Sequence, residues 1–212
     1  MAPEERTRAA NDVLEACEAA LLDLDGTLID SNYQHAIAWF RAFRAEGVIV
    51  PLWRVHRHVG MGGDQLVEAV AGAEVEERLG ERLRTTEPEQ FAQLRDECEP
   101  LEGVRELVEA LRRRGLRVVL ASSAPQDDLD HFLDLLGLRR LVDGWTSATD
   151  VDRSKPSPDI VHAALERAGT RAGVMIGDSR WDVEAAAAAG LGSICVITGG
   201  WAEQELLDAG AA

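Results

Sequence analysis

Cysteine is scarce. Cys17, Cys98 and Cys195 are odd in number, far apart and without a CxxC pair, so neither a disulfide framework nor a zinc site of ordinary spacing can be built from them. Reduced thiols of this kind are expected in a cytoplasm. No apolar run is long enough to span a bilayer. The opening segment MAPEERTRAANDVLEACEAA is charged and helix-prone, without the apolar centre of a signal peptide. These absences point to a soluble, cytoplasmic chain that does not engage a membrane. Positive charge is also short: 22 Lys and Arg against 38 Asp and Glu leave a net charge of −16. So acidic a chain repels a phosphate backbone, and no nucleic-acid partner is expected. It repels small anions too, so any phosphate site needs its own local cation. What remains is an ordinary globular balance, 46% hydrophobic and 28% charged over 212 residues, enough for one large domain or a core with an insertion.

Two rhythms divide the chain. Residues 1–18 read as an amphipathic or frayed helix, and Ala19-Ala20-Leu21-Leu22 as a buried parallel strand that stops at Asp23-Leu24-Asp25-Gly26-Thr27. Between Ser31 and about Glu97 the pattern is helical. Ile37, Trp39, Phe40 and Phe43 share one spacing, Leu66, Val67 and Val70 begin another face, and Glu74–Cys98 reads as a long charged helix interrupted or kinked at Pro88. After Pro100, helices and strands alternate. Strands are predicted at Arg117–Ala121, near Trp145, at Gly173–Ile176 and at Ile194–Ile197, with helices between them. The expected fold is α/β, a Rossmann-like doubly wound parallel sheet formed by residues 1–30 and 99–212, with an all-helical insertion at 31–98.

Ligands of such sheets bind beyond the carboxyl ends of the strands. Those ends carry Asp23 and Asp25, then Ser122 and Ser123, then Asp178. Lys155 stands in the turn Ser154-Lys155-Pro156-Ser157-Pro158 just before a helix. Three carboxylates, a hydroxyl and an ammonium on one rim suit a phosphate with a hard cation. Oxygen ligands favour magnesium, and lysine and hydroxyl donors favour phosphoryl oxygens. If the first strand runs on through both, Asp23 and Asp25 point to the same side. One carboxylate can then attack phosphorus while the other moves the leaving-group proton. Asp178 and Asp182 supply acids on the metal side, and Lys155 offsets the remaining charge. A calcium loop is excluded, because its fifth and twelfth positions would be Thr27 and Gln34.

DLDGTLID (23–30), LASSA (120–124), KPSPD (155–159) and GDSRWD (177–182), in this order, resemble the four motifs of the haloacid dehalogenase superfamily. The resemblance covers about residues 19–198 and implies a Rossmann-like core and Mg²⁺. It implies Asp23 as nucleophile and metal ligand, and Asp25 as acid and base with its main-chain carbonyl on the metal. Asp178 would be the second metal carboxylate, and Ser122, Ser123 and Lys155 the phosphate binders. Thr27 and Asp182 would support the site. Residues 31–98 resemble the cap of the branch that includes phosphoglycolate phosphatase-like and β-phosphoglucomutase-like enzymes.

The activity so implied is hydrolysis of a small phosphomonoester. A dehalogenase characteristically lacks the second acid of the first motif, and Asp25 is present. A sugar-phosphate mutase is the alternative. Its cap arginine would fall near Met61-Gly62-Gly63-Asp64, where this chain has none, although Arg57 is close. An idle phosphate-binding module is a third reading, but no acid of the set is lost. His35 is placed either on substrate or against Trp39 at i+4. His56, Arg57 and His58 form a basic knot on the insertion. A short segment after Thr198-Gly199-Gly200-Trp201 is expected to leave the last sheet edge exposed or covered by a partner. Monomer and homodimer are both open.

Overall fold

A computed structural model describes residues 3–212. The chain divides into two compact units, Met1–Ile29 with Pro100–Ala212, and Asp30–Glu99.

The first unit is built on a parallel five-stranded sheet. Its strands are β1 (Ala19–Leu22), β4 (Arg117–Leu120), β5 (Gly144–Trp145), β6 (Gly173–Gly177) and β7 (Gly192–Cys195), in the spatial order β5-β4-β1-β6-β7. All four residues of β1 are buried, as expected of a central strand covered on both faces. Leu22 lies in register with Leu120 on one side and Ile176 on the other. The chain builds outward from β1 through β4 and β5, then crosses to β6 and β7. The strand order therefore reverses at the carboxyl end of β1, where a crevice opens in sheets of this kind.

Five helices follow the alternation: α6 (Val104–Arg113), α7 (Gln126–Leu136), α8 (Asp159–Ala168), α9 (Arg180–Ala188) and α10 (Glu203–Ala209), and α1 (Pro3–Glu15) precedes β1. Ile160, Ala164, Ala168, Ala185 and Ala186 pack on Leu21, Val119 and Met175 to form a core layer. The small residues let α8 and α9 approach the sheet closely. At the β7 edge the chain partly covers itself, since Ala212 N–H donates to Ser193 O at 2.9 Å. No helix among the described residues is long and apolar enough to cross a membrane.

The second unit contains α2 (Asn32–Ala45), α3 (Leu52–His56), α4 (Gly63–Ala71) and α5 (Ala73–Phe91), with a 3₁₀ turn at Arg95–Glu97. Trp39, Phe43, Val55, Leu66, Val67 and Leu83 form its core. The charged helix expected over Glu74–Cys98 ends at Phe91 instead, and Pro88 lies inside it. A proline in the last turn forfeits one intrahelical bond, so the helix carries it and then stops. The chain passes between the units at β2 (Ile29–Asp30) and β3 (Glu99–Pro100), which pair as a two-stranded sheet.

Candidate active site

Beyond Leu22 the chain keeps one more bond to the sheet, Asp23 N–H to Ile176 O at 2.9 Å, and then turns. The turn rests on Gly26, whose φ of 75° is left-handed and suits glycine. Leu28 N–H returns to Leu24 O at 2.8 Å, and Asp25 makes an isolated bridge with Ile29. Paired strand ends at Leu22, so Asp23 and Asp25 lie at its mouth rather than within it. Asp23 is buried and Asp25 half-buried.

Side chains from two further segments, Lys155 from one and Asp178 and Asp182 from the other, meet Asp23. Lys155 Nζ lies 2.8 Å from Asp23 Oδ2 and 2.8 Å from Asp182 Oδ1. Asp182 Oδ2 accepts from Ser179 N–H at 3.1 Å and from Ser179 Oγ at 2.6 Å, a capping box that starts α9. Thr27 Oγ1 donates to Asp178 Oδ1 at 3.2 Å. Oxygens of Asp23, Asp178 and Asp182 all lie within 4.8 Å of one another, and the three side chains are buried. Lys155 is buried as well, and the peptide joining it to Pro156 is cis.

The electrostatics follow from one ammonium among several acids. Burial pushes the Asp23 carboxyl well above its ordinary value, the negative charges of Asp182 and Asp178 push the same way, and Lys155 opposes them. Burial would lower Lys155, but Asp182 and Asp23 together hold its ammonium above the ordinary lysine value. The Cys195 thiol, at the end of β7, is pushed up to about 12 by burial and by Asp182 and Asp178. It stays a neutral thiol. Buried acid in excess of one ammonium, in an all-oxygen donor set, fits a hard divalent cation. Both Asp182 oxygens are already engaged by Ser179 and Lys155, which leaves Asp23 and Asp178 as the carboxylates better placed to hold it.

Ser122 and Ser123 follow β4, the neighbour of β1. Ala121 N–H donates to Leu22 O at 2.7 Å, which ties the two strand ends together. Ser122 is buried, and its Oγ accepts from Ala124 N–H at 3.0 Å; the N-cap of α7 is Pro125, so this is a local turn bond rather than a helix cap. Ser123 is half-buried.

His35 and Arg57 belong to the second unit. The His35 ring stacks on Phe91 at 3.8 Å between centroids, and its Nδ1 lies 3.1 Å from Glu87 Oε1. Its aromatic neighbour on α5 is therefore Phe91. Arg57 is the C-cap residue of α3. Tyr33 stacks on His56 at 4.8 Å, and His58 Nδ1 lies 2.7 Å from Arg54 O.

Sequence reasoning passed over two residues here. Ser179 was readable from its Ser-x-x-Asp spacing to Asp182, the mark of a capping box. Thr198, whose hydroxyl donates to Gly26 O, gave no local signal. Composition also marks one residue of the site: Lys155 is the one lysine in the sequence, the other 21 Lys and Arg positions being arginine.

The chain is 31% identical over 148 residues to validoxylamine A 7'-phosphate phosphatase of Streptomyces hygroscopicus subsp. limoneus, covering 67% of each chain. It is 30% identical over 179 residues to phosphoglycolate phosphatase of Pseudomonas putida, covering 81% of this chain and 66% of that one. It thus spans about two thirds of the length of these relatives. Among solved structures, a hydrolase from Pseudomonas syringae matches with a TM-score of 0.84 at 32% identity, over 91% of this chain and 90% of that one. The model of the haloacid dehalogenase-like hydrolases matches residues 17–190, a span that contains every acid of the site, and the chain belongs to that family of hydrolases.

Proposed function

We propose that this hydrolase is a Mg²⁺-dependent phosphatase that cleaves a small phosphomonoester through a phosphoaspartate on Asp23. The observation that carries the reading is the buried ammonium of Lys155, held 2.8 Å from both Asp23 and Asp182 beside the carboxylate of Asp178. Such an arrangement keeps a carboxylate nucleophile in place and leaves it short of positive charge, a deficit that a cation and a phosphoryl group fill together.

In this reading Asp23, Asp178 and the main-chain carbonyl of Asp25 hold Mg²⁺, which when bound neutralises charge on the carboxylates and the phosphoryl oxygens. Ser122, Ser123 and Lys155 bind those oxygens. An Asp23 oxygen attacks phosphorus, the bond to the ester oxygen breaks, and Asp25 gives its proton to the departing alkoxide. Asp25 then takes a proton from water, which attacks the phosphorus of the phosphoaspartate and releases inorganic phosphate and free Asp23. Thr27 orients Asp178, and Asp182, anchored by Ser179, orients Lys155. Residues 31–98 act as a cap that selects the substrate, with His35 and Arg57 as its candidate contacts. The relatives named for validoxylamine A 7'-phosphate and phosphoglycolate support a metabolite-sized ester. A soluble cytoplasmic enzyme is consistent with the composition.

The test is phosphate release from p-nitrophenyl phosphate and a panel of metabolite phosphomonoesters, with Mg²⁺, with chelator, and with Asp23→Asn. Release that needs Mg²⁺ and disappears in the variant supports the proposal. Folded protein that releases phosphate from none of them overturns it. A sugar bisphosphate primer then distinguishes a mutase from an idle binding module.

A further inference from the structure

The segment Thr198-Gly199-Gly200 follows β7 and takes no part in the mechanism above, yet Gly199 lies against Asp178 of the acid cluster. A Cβ placed on Gly199 would stand 2.7 Å from Asp178 O and 2.8 Å from Asp178 Cγ, and nearer still to Asp178 Oδ2. Real Cβ atoms do not approach other heavy atoms within 3.0 Å. Its backbone conformation is not the reason for the glycine, because the left-handed residue of the pair is Gly200, with φ of 76°. Space is the reason. The same holds one strand away, where a Cβ on Gly177 would stand 2.6 Å from Asp182 Cβ and nearer to its carboxyl. Thr198 fixes the segment, since its hydroxyl donates to Gly26 O in the turn that carries Asp25 and Thr27.

We propose that Gly199 is a positioning residue for the metal carboxylate: its bare Cα packs against Asp178 while Thr27 holds the opposite oxygen, and the two together set the carboxylate for Mg²⁺. The Thr198 hydroxyl locks this stop to the turn of the nucleophile, so the carboxylates of Asp23 and Asp178 keep their spacing. The inference rests on Mg²⁺ as the cation of the proposed phosphatase.

The experiment titrates Mg²⁺ into metal-free full-length protein by calorimetry, for the native chain, Gly199→Ala, Gly200→Ala and Thr198→Val, with a thermal midpoint measured for each without metal. Gly199→Ala is expected to raise the Mg²⁺ dissociation constant by about tenfold or more, the usual loss when a group that orients a metal ligand is changed. Thr198→Val, which preserves shape, is expected to raise it severalfold. Gly200→Ala, strained by its positive φ, should lower the thermal midpoint and leave the Mg²⁺ affinity close to native. Native-like Mg²⁺ affinity in both Gly199→Ala and Thr198→Val overturns the inference and leaves the phosphatase reading intact. Equal loss of affinity in Gly200→Ala and Gly199→Ala also overturns it, because general loosening then explains the effect. A native chain that takes up no Mg²⁺ overturns the metal reading and this inference with it.

Discussion

Replacing Lys155 by Met keeps an unbranched chain of similar length and removes the cation that lies 2.8 Å from both Asp23 Oδ2 and Asp182 Oδ1. Lys155 and both of its partners are buried. Breaking a buried pair by removing one member costs about 3–5 kcal/mol, because the partner's charge is left uncompensated. A domain holds about 5–15 kcal/mol in total, so the variant should fold with a thin margin. The loss should also depend on pH. In the native chain Lys155 is what pulls Asp23 down, against burial and the charges of Asp182 and Asp178. Without it the Asp23 carboxyl rises further above its ordinary value. A raised acid keeps a proton in the folded state that the unfolded chain releases, so folding loses stability as pH climbs from the ordinary carboxylate range towards the raised value. The deficit of Lys155→Met should therefore be smaller near about pH 5 than near about pH 8, where ionisation of Asp23 is demanded. Urea denaturation of metal-free native and variant protein at both pH values measures it. A deficit below about 1 kcal/mol at the higher pH, or one that is the same at both, refutes the argument.

Asp23→Asn changes shape little and removes the nucleophile; turnover should fall by about a thousandfold or more with circular dichroism unchanged, and wild-type turnover rules out the covalent route. Mg²⁺ binding to metal-free protein should release protons and weaken as pH falls, because burial and like charge raise the Asp23 carboxyl above its ordinary value and a metal ligand must be deprotonated; calorimetry in two buffers of different ionisation enthalpy reads the proton count, and a count of zero is the contrary result. Phe43, fully buried in the second unit, should cost about 3–5 kcal/mol when changed to Ala, measured by denaturation.

Much of this architecture could be read from the sequence, for reasons that differ by element. Ala19–Leu22 is legible because a central parallel strand buried on both faces leaves an unbroken apolar run, and the polar residue that ends it marks the functional edge. β5, Gly144–Trp145, is two half-buried residues without a period of its own, and the strand expected near Trp145 is legible only from the alternation of helices and strands around it. Pro88 misled because sequence gives a proline no depth within its helix: in the last turn it costs one bond, in the middle it would break the run. Asp23, Asp25 and Asp178 were each visible just past a strand end and Asp182 four residues further on, but their pairing was not. Asp182 reads locally as an N-terminal acid of α9, and so it is; that its other oxygen holds Lys155, 27 residues earlier, follows only from β6 lying beside β1. Gly199 was hidden because a glycine in sequence signals a turn, whereas here it marks a backbone with a carboxylate pressed against it.

The lone lysine shows what composition can say once geometry is known. At 21 of 22 cationic positions the chain carries arginine, and every surface ion pair described uses it, as Arg112 with Asp143 and Arg167 with Asp150 do. Lysine survives only where two carboxylates converge on one point in a buried space. An ammonium is a compact donor to both, whereas a guanidinium is a planar fork that reaches them only by standing off. Lys155→Arg separates charge from position. The positive charge remains, so the stability deficit should be less than half that of Lys155→Met. The planar group displaces Asp23 or the phosphoryl oxygens, and a misplacement of about 1 Å costs about a hundredfold in rate. A Lys155→Arg protein that turns over at the native rate would mean that Lys155 supplies charge alone, and the geometric part of the mechanism would have to be given up.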